Sequence, residues 1–313
     1  MVERVADAGS AKPSTQSALG PRGRGLFGRL LDSVRSVPAA RREAVTIAIA
    51  SGKGGTGKSF IATSLAVQLH RRGLRTTLVD CDFGLAVDHL LLGVKPVRSL
   101  QHLLAGQATL AEVVCETPCG PKLLPGASGV RKLAAMSDKD LLTLARELGA
   151  LAQQEDVLVL DLGAGIGPAT MLTMLAADHI VMVTQPEIAA LVDAYAVVKC
   201  VTQLHQKAKF HVLVNRALTA GRGEQAYEKL TEVARQHVGI NLNFLGEMIE
   251  DQRIGQHRLG QLPLVVTDPT GATARALELV VQRLMVLAAP LLQREVAGDA
   301  GFEARFRNFR LFI

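Results

Sequence analysis

SGKGGTGKSF, residues 51–60, follows the apolar run VTIAIA at 45–50 and opens a segment of helical periodicity. Gly52–Ser59 fits G-x-x-x-x-G-K-[ST], with a strand before it and a helix after it, which is the context the motif requires. Glycines let backbone N–H groups turn inward around phosphate oxygens. The helix that starts there aims its positive end at the same place. Lys58 neutralises the outer phosphates and the Ser59 hydroxyl is suited to Mg2+. The stretch therefore predicts binding of ATP with Mg2+ through Gly54, Gly55, Thr56, Gly57, Lys58, Ser59 and Phe60. One lysine suffices for this task, so the upstream Lys53 needs a separate account.

Outward from the loop, strand and helix patterns alternate. Apolar runs at VTIAIA, RTTLVD, PKLLPG, DVLVLDLGAG, HIVMVTQP, KFHVLVNRA and NFLGEMIE read as strands. Helices are expected at about 58–72, near 98–115, and at 137–153, 187–206, 223–237 and 271–289. This alternation predicts an α/β fold, a parallel-sheet P-loop NTPase with helices on both faces and ligands at the carboxyl ends of the strands. The core domain is expected at 44–289. Before it come a disordered leader at 1–24 and a basic amphipathic helix with linker at 25–43. After it come a linker and an amphipathic helix at 290–313.

Metal-bound triphosphate calls for carboxylates at neighbouring strand ends. VLVLD ends at Asp161, the acid expected to hold Mg2+. LVDCD places Asp80 and Asp82 on one side of an extended segment, where either meets the metal or orients water. Gly163 and Gly165 follow Asp161 in a loop able to approach a terminal phosphate, and an ordinary strand-to-helix turn is the simpler alternative.

Composition narrows the classes. The net charge of +6 resides in the ends: residues 1–43 carry eight Lys/Arg against four Asp/Glu, and the last thirteen carry three Arg against one Glu. Charges in between balance, so a basic DNA-binding face is not expected, whereas basic ends suit an anionic surface. Four cysteines without a CxxC pair argue against a disulfide framework and an iron–sulfur carrier. Two tyrosines are too few for a tyrosine autokinase cluster. No signal-peptide pattern and no apolar run of about 20 residues occurs, so a cytoplasmic location is expected.

KGGTGKS with an upstream lysine resembles the deviant Walker A loop of the MinD/ParA class. LVDCDFGLAVDHLLLG, LLPGASG, DLGAGIG, VTQPEIAALVDAYAVVK, LVNRA and LGEMIEDQRIGQ are similar to FlhG (also called FleN or YlxH), the flagellar-number regulators. The resemblance spans roughly residues 44–289. It implies an ATPase that forms a homodimer with ATP, in which Lys53 reaches the partner's phosphates. It also implies Asp82 as the acid that positions water, Asp80 and Asp161 serving Mg2+, and Asn215 with Arg216 at the adenine. An FlhF-like GTPase and flagellar switch proteins are the implied partners.

The end GFEARFRNFRLFI places Phe302, Phe306, Phe309 and Ile313 on one helical face, flanked by Arg305, Arg307 and Arg310. It resembles the membrane-targeting helix of MinD, which implies peripheral attachment at the inner face of the cell membrane. Docking on the chain's own domain is the alternative. Residues 25–37, with Leu26, Phe27, Leu30, Leu31 and Val34 on one face, suit a membrane, a partner or the core equally.

Overall fold

Seven segments form one parallel sheet, and its inner strands are buried on both faces. The computed structural model describes residues 41–126, 136–256, 261–292, 294–296 and 300–312. The expected leader and the amphipathic 25–37 segment lie outside the described residues. Strands β2 (Val45–Ala50), β5 (Val157–Leu162) and β6 (His179–Thr184) are buried along their whole length, as strands covered on both faces must be. With β3 (Thr76–Cys81), β4 (Lys122–Leu124), β7 (Phe210–Ala217) and β8 (Asn243–Ile249) they run in the order β4-β3-β5-β2-β6-β7-β8. The chain leaves β2 toward one side of the sheet and later returns to its other side. The carboxyl end of β2 is thus a topological switch point, where open α/β sheets bind ligands.

Helices cover both faces. On one lie α1 (Lys58–Arg71), which follows the loop at 51–57, and α11 (Ala272–Ala288). On the other lie α5 (Asp138–Ala152), α6 (Pro168–Ala176), α7 (Ile188–Leu204), α8 (Arg222–Val238) and α12 (Phe302–Phe309). Short helices α2 (Asp88–Leu91), α3 (Leu100–Leu104), α4 (Leu110–Val113), α9 (Gln252–Gly255) and α10 (Leu264–Thr267) fill the connections. The single helical stretch expected near 98–115 is in fact two, α3 and α4. Gly106 has φ 71° between them, and Ser99 and Thr109 each open a new helix with a capping box. Helix α6 was not anticipated. Its MLTMLA core is buried almost all round and therefore has no polar face to give it a period.

The C-terminal expectation requires correction. Phe302 and Phe306 are fully buried in the main core, where α12 packs against α5 and α6. Phe309 is half-buried, its ring 5.1 Å from that of His205, and Ile313 lies outside the described residues. The arginines have protein partners. Arg305 donates to the Ala176 carbonyl at 2.8 Å and pairs with Asp178, Arg307 pairs with Glu303, and Arg310 pairs with Asp138. A 4-3-4 spacing of phenylalanines specifies an apolar face but not the surface that covers it. A strap decides here. β9 (Glu295–Val296) pairs antiparallel with β1 (Arg41–Arg42), and Arg294 pairs with Asp178 at 2.6 Å. The Phe302 N–H donates to Glu43 at 2.9 Å. The helix that reads as a membrane anchor is therefore a wall of the core. Among the described residues no helix is long and apolar enough to cross a membrane.

Phe306→Ala is accordingly expected to cost about 3–5 kcal/mol of stability, the usual range for emptying a buried aromatic site. Urea unfolding followed by circular dichroism reads this directly. A change near zero would mean that α12 leaves the core in solution.

Candidate functional site

The loop between β2 and α1 is shaped by two glycines. A Cβ on Gly52 would fall 2.2 Å from the Asp193 carbonyl carbon, so the loop abuts the backbone of α7. Gly57 has φ +91°, and its Cβ would meet the Asn215 amide nitrogen at 2.3 Å. That amide donates to the Thr56 carbonyl at 2.8 Å, and the Gln185 amide donates to the Gly55 carbonyl at 3.2 Å. Two strand ends, β6 and β7, thus hold the loop from below. Gly54 and Gly55 stay exposed at its tip.

Lys58, the first residue of α1, is buried, and its charge acts on Asp161 and Asp88. The Ser59 hydroxyl donates to Asp161 at 2.5 Å. Asp161, one residue before the end of β5, lies directly beside Asp80 of β3, because parallel pairing puts these two residues in register. Burial, and then the charge of Asp161, push the Asp80 carboxyl up to about 7. Burial pushes Asp161 up to about 6 even though Lys58 and Ser59 oppose it. Asp82 is less buried, and its Oδ1 accepts from the N–H groups of Gly84 and Leu85 at 3.1 and 3.0 Å. It caps the turn after β3. Gly163 approaches it closely enough that an added Cβ would lie 3.6 Å from Asp82 Oδ1. The Gly165 N–H donates to the Ser51 carbonyl at 3.0 Å, which ties the β5–α6 loop to the glycine loop.

Lys53 has a different setting. Its ammonium pairs with Glu187 at 2.8 Å, at the exposed start of α7, and does not enter the buried carboxylate group. Asn215, Arg216, Phe60, Gly55 and Gly57 border an open groove of ≈ 500 Å³ with residues 250–252 and 254–256. Arg216 has φ 58°, and its guanidinium pairs with Glu250 at 2.8 Å. Asn215 already binds Thr56 and accepts from the Arg216 N–H, so one amide hydrogen and one lone pair remain for a base.

The structure thus brings Lys58, Ser59, Asp80, Asp82, Asp161, Gly163 and Asn215 around one loop, with Lys53 at its rim and Arg216 across the groove. Sequence reasoning missed Gln185, Glu187 and Asp88. The first two follow β6 at its carboxyl end, the same positional signal that identified Asp161. Asp88 sits among apolar neighbours and had no such signal.

Residues 47–264 match the family model of the CobQ/CobB/MinD/ParA nucleotide binding domain. The chain belongs to the MinD/ParA family. Among relatives of this family, antiactivator FleN of Pseudomonas aeruginosa is 31% identical over 238 residues, 76% of this chain and 85% of that protein. Flagellum site-determining protein YlxH of Helicobacter pylori is 36% identical over 201 residues, 64% of this chain and 68% of that one. The septum site-determining protein MinD of Pyrococcus horikoshii, solved with Mg-ADP, superposes with a TM-score of 0.67 at 28% identity. That likeness covers 79% of this MinD/ParA-family chain and 98% of the other.

The site itself fits a magnesium nucleotide. Among the described residues, Asp161 Oδ1 and the Thr56 hydroxyl are buried without a hydrogen-bond partner, an arrangement rare unless something else engages them. Ser59 and Asp161 are the residues that would hold the metal, and Lys58 with the N–H groups of the loop would hold the phosphates.

Proposed function

We propose that the chain is an ATP-dependent dimerising switch that sets the number or placement of flagella. The contrast between its two lysines carries this reading. Lys58 is buried among carboxylates at the start of α1, while Lys53 sits at the rim with a side chain 31% exposed and an exposed glutamate for company. A lysine so placed is free to exchange Glu187 for a phosphate on a second copy.

Bound Mg-ATP supplies the transferable phosphoryl group and the metal charge that offsets the charge developing on it. The chain's own residues position and neutralise. Lys58 and the loop N–H groups orient the phosphates. Asp82, at the mouth of the site, orients the attacking water. Gly163 and Gly165 lie in a loop that closes while the last phosphate is present and relaxes when it leaves. Asn215 and Arg216 border the base. Lipid contact by Phe302 and Phe306, which lie in the core, has no part in the switch.

Size-exclusion chromatography with light scattering tests the switch. A dimer is expected in Mg2+ with ATP and a monomer with ADP; one mass in both nucleotides would remove the switch. The flagellar role is supported by the relatives FleN and YlxH. Electron microscopy of cells lacking the chain is expected to show altered flagellar number or position. Misplaced septa with normal flagella would favour a division role like that named for MinD.

A further inference from the structure

Helix α11 is apolar on both sides. Its inner side belongs to the core: Ala274, Leu277, Val280, Val281, Leu284 and Ala288 are buried, and the helix packs on α1 and β8. A helix at the surface normally turns a polar face outward. The outer face of α11 instead carries Leu279, 55% exposed, Val286, 76% exposed, and Leu287. Leu279 and Val286 stand seven residues apart, two turns along one stripe. Ala289 and Pro290, in the turn that follows, are exposed as well and continue that stripe.

The uncompensated charges on this face have one sign. Arg275 is exposed, and its guanidinium has no partner among the described residues. Arg283 is exposed and donates to a carbonyl, that of Leu245, at 2.8 Å. The acid on the face, Glu278, is neutralised by Arg72. Arg275, Leu279, Arg283 and Val286 thus alternate cation with apolar side chain along the stripe. Helix α8 shows the ordinary pattern: its outward Glu224, Glu228 and Glu232 balance Arg222, Lys229 and Arg235.

Cations alone suit any polyanion, but leucine and valine gain nothing against a sugar–phosphate backbone. A lipid surface takes both. Its headgroups meet the arginines, and the boundary of its acyl chains takes the apolar side chains, the usual footing of a helix that lies in a membrane interface. We propose that the outer face of α11 rests on an anionic lipid surface. The helix is already held by the core, so contact does not have to order it. Phe302 and Phe306 stay buried in α12, on the opposite face of the sheet. Contact through α11 needs no nucleotide, so the ATPase reading stands or falls apart from it.

The test is sedimentation of the nucleotide-free full chain with lipid vesicles. Wild type is expected to sediment with vesicles of equal parts phosphatidylglycerol and phosphatidylcholine. It should stay in solution with phosphatidylcholine alone or in high salt. The double variant Leu279→Asp/Val286→Asp is expected to lose about tenfold or more in affinity, and Arg275→Glu about fivefold or more. Val233→Asp, at an exposed position of α8, is expected to bind like wild type. All four changed side chains are exposed, and circular dichroism checks that each variant folds. Wild type left in the supernatant would overturn the proposal, and so would full binding by the double variant. Retention on DNA without vesicle binding would overturn it in favour of nucleic acid. A dimer mass that the double variant loses, again without vesicle binding, would overturn it in favour of a second copy.

Discussion

Lys53→Ala is expected to bind ATP within about threefold of wild type and yet lose turnover by about 10³-fold. The first half follows from exposure: Lys53 pairs at the surface with Glu187, and such pairs contribute little. The second half follows from position. A cation delivered to a phosphoryl group from a second molecule is worth about 10³-fold or more in rate. Lys58→Ala should fail differently. It removes the buried cation that orients the phosphates, and affinity itself should fall by roughly 100-fold, the equivalent of about 3 kcal/mol in lost charged hydrogen bonds. Nucleotide titration and phosphate release, measured across a range of protein concentrations, separate the two. Wild-type turnover per chain should rise with concentration, and Lys53→Ala turnover should stay flat. Equal turnover in wild type and Lys53→Ala would leave the second lysine without a role in trans.

The melting temperature of nucleotide-free Asp80→Asn, taken relative to wild type, should be higher at pH 8 than near pH 4. Burial and Asp161 hold the Asp80 carboxyl at about 7, well above its unfolded value of 3.8. A group raised on folding keeps its proton longer in the native state. Its contribution is complete below the unfolded value and is lost as pH rises through about 7. Ionising Asp80 inside the fold therefore costs on the order of 4 kcal/mol. Asparagine has no charge to bury, but its amide nitrogen cannot accept, so one of the Asp82 and Asp88 N–H groups that Asp80 receives loses its acceptor at every pH. The opposite sign holds at the other end of the sheet, where His179 and His211 face each other at 2.9 Å. Burial, and then the charge of Lys209, hold His179 at about 4. Burial, and then the charge of His179, hold His211 at about 3. Both favour the fold above pH 6.5 and lose that contribution as pH falls. The variant's curve should therefore descend on the acid side only. A constant offset between the two proteins at every pH would show that folding does not shift the Asp80 carboxyl.

The strand–loop–helix at 45–71 was legible because its glycines, lysine and apolar run each constrain the same short segment. All seven sheet strands were visible as mainly apolar runs; the inner ones are buried on both faces and need no polar alternation, while β8 at the edge shows exposed positions. Asp161 and Asp80 were visible as acids at strand ends. What escaped was decided by tertiary contact. Helix α6 has no polar face, although Pro168 at its first turn is a start signal. The phenylalanines of α12 had the right spacing for either lipid or core, and only the strap of Arg294, Glu43 and Asp178 distinguishes them. Asp88 resembles an ordinary surface acid until α2 buries it beside Asp80. Asn215 was expected at a base, and its amide first braces the loop at Thr56.

The pairing of β1 with β9 has a consequence for connectivity. Arg41–Arg42 enters β2 at the amino end of the sheet, and Glu295–Val296 returns to the same place after every core strand has been laid down. The stretch from β1 to β9 is thus almost a closed ring, sealed on the side of the sheet away from the glycine loop. A circular permutant that opens the ring at a surface turn would have to keep α12, which follows β9 and fills the core, when it links the two ends. The order of strands in space, and the loop they cradle, would be inherited intact by a gene that begins elsewhere.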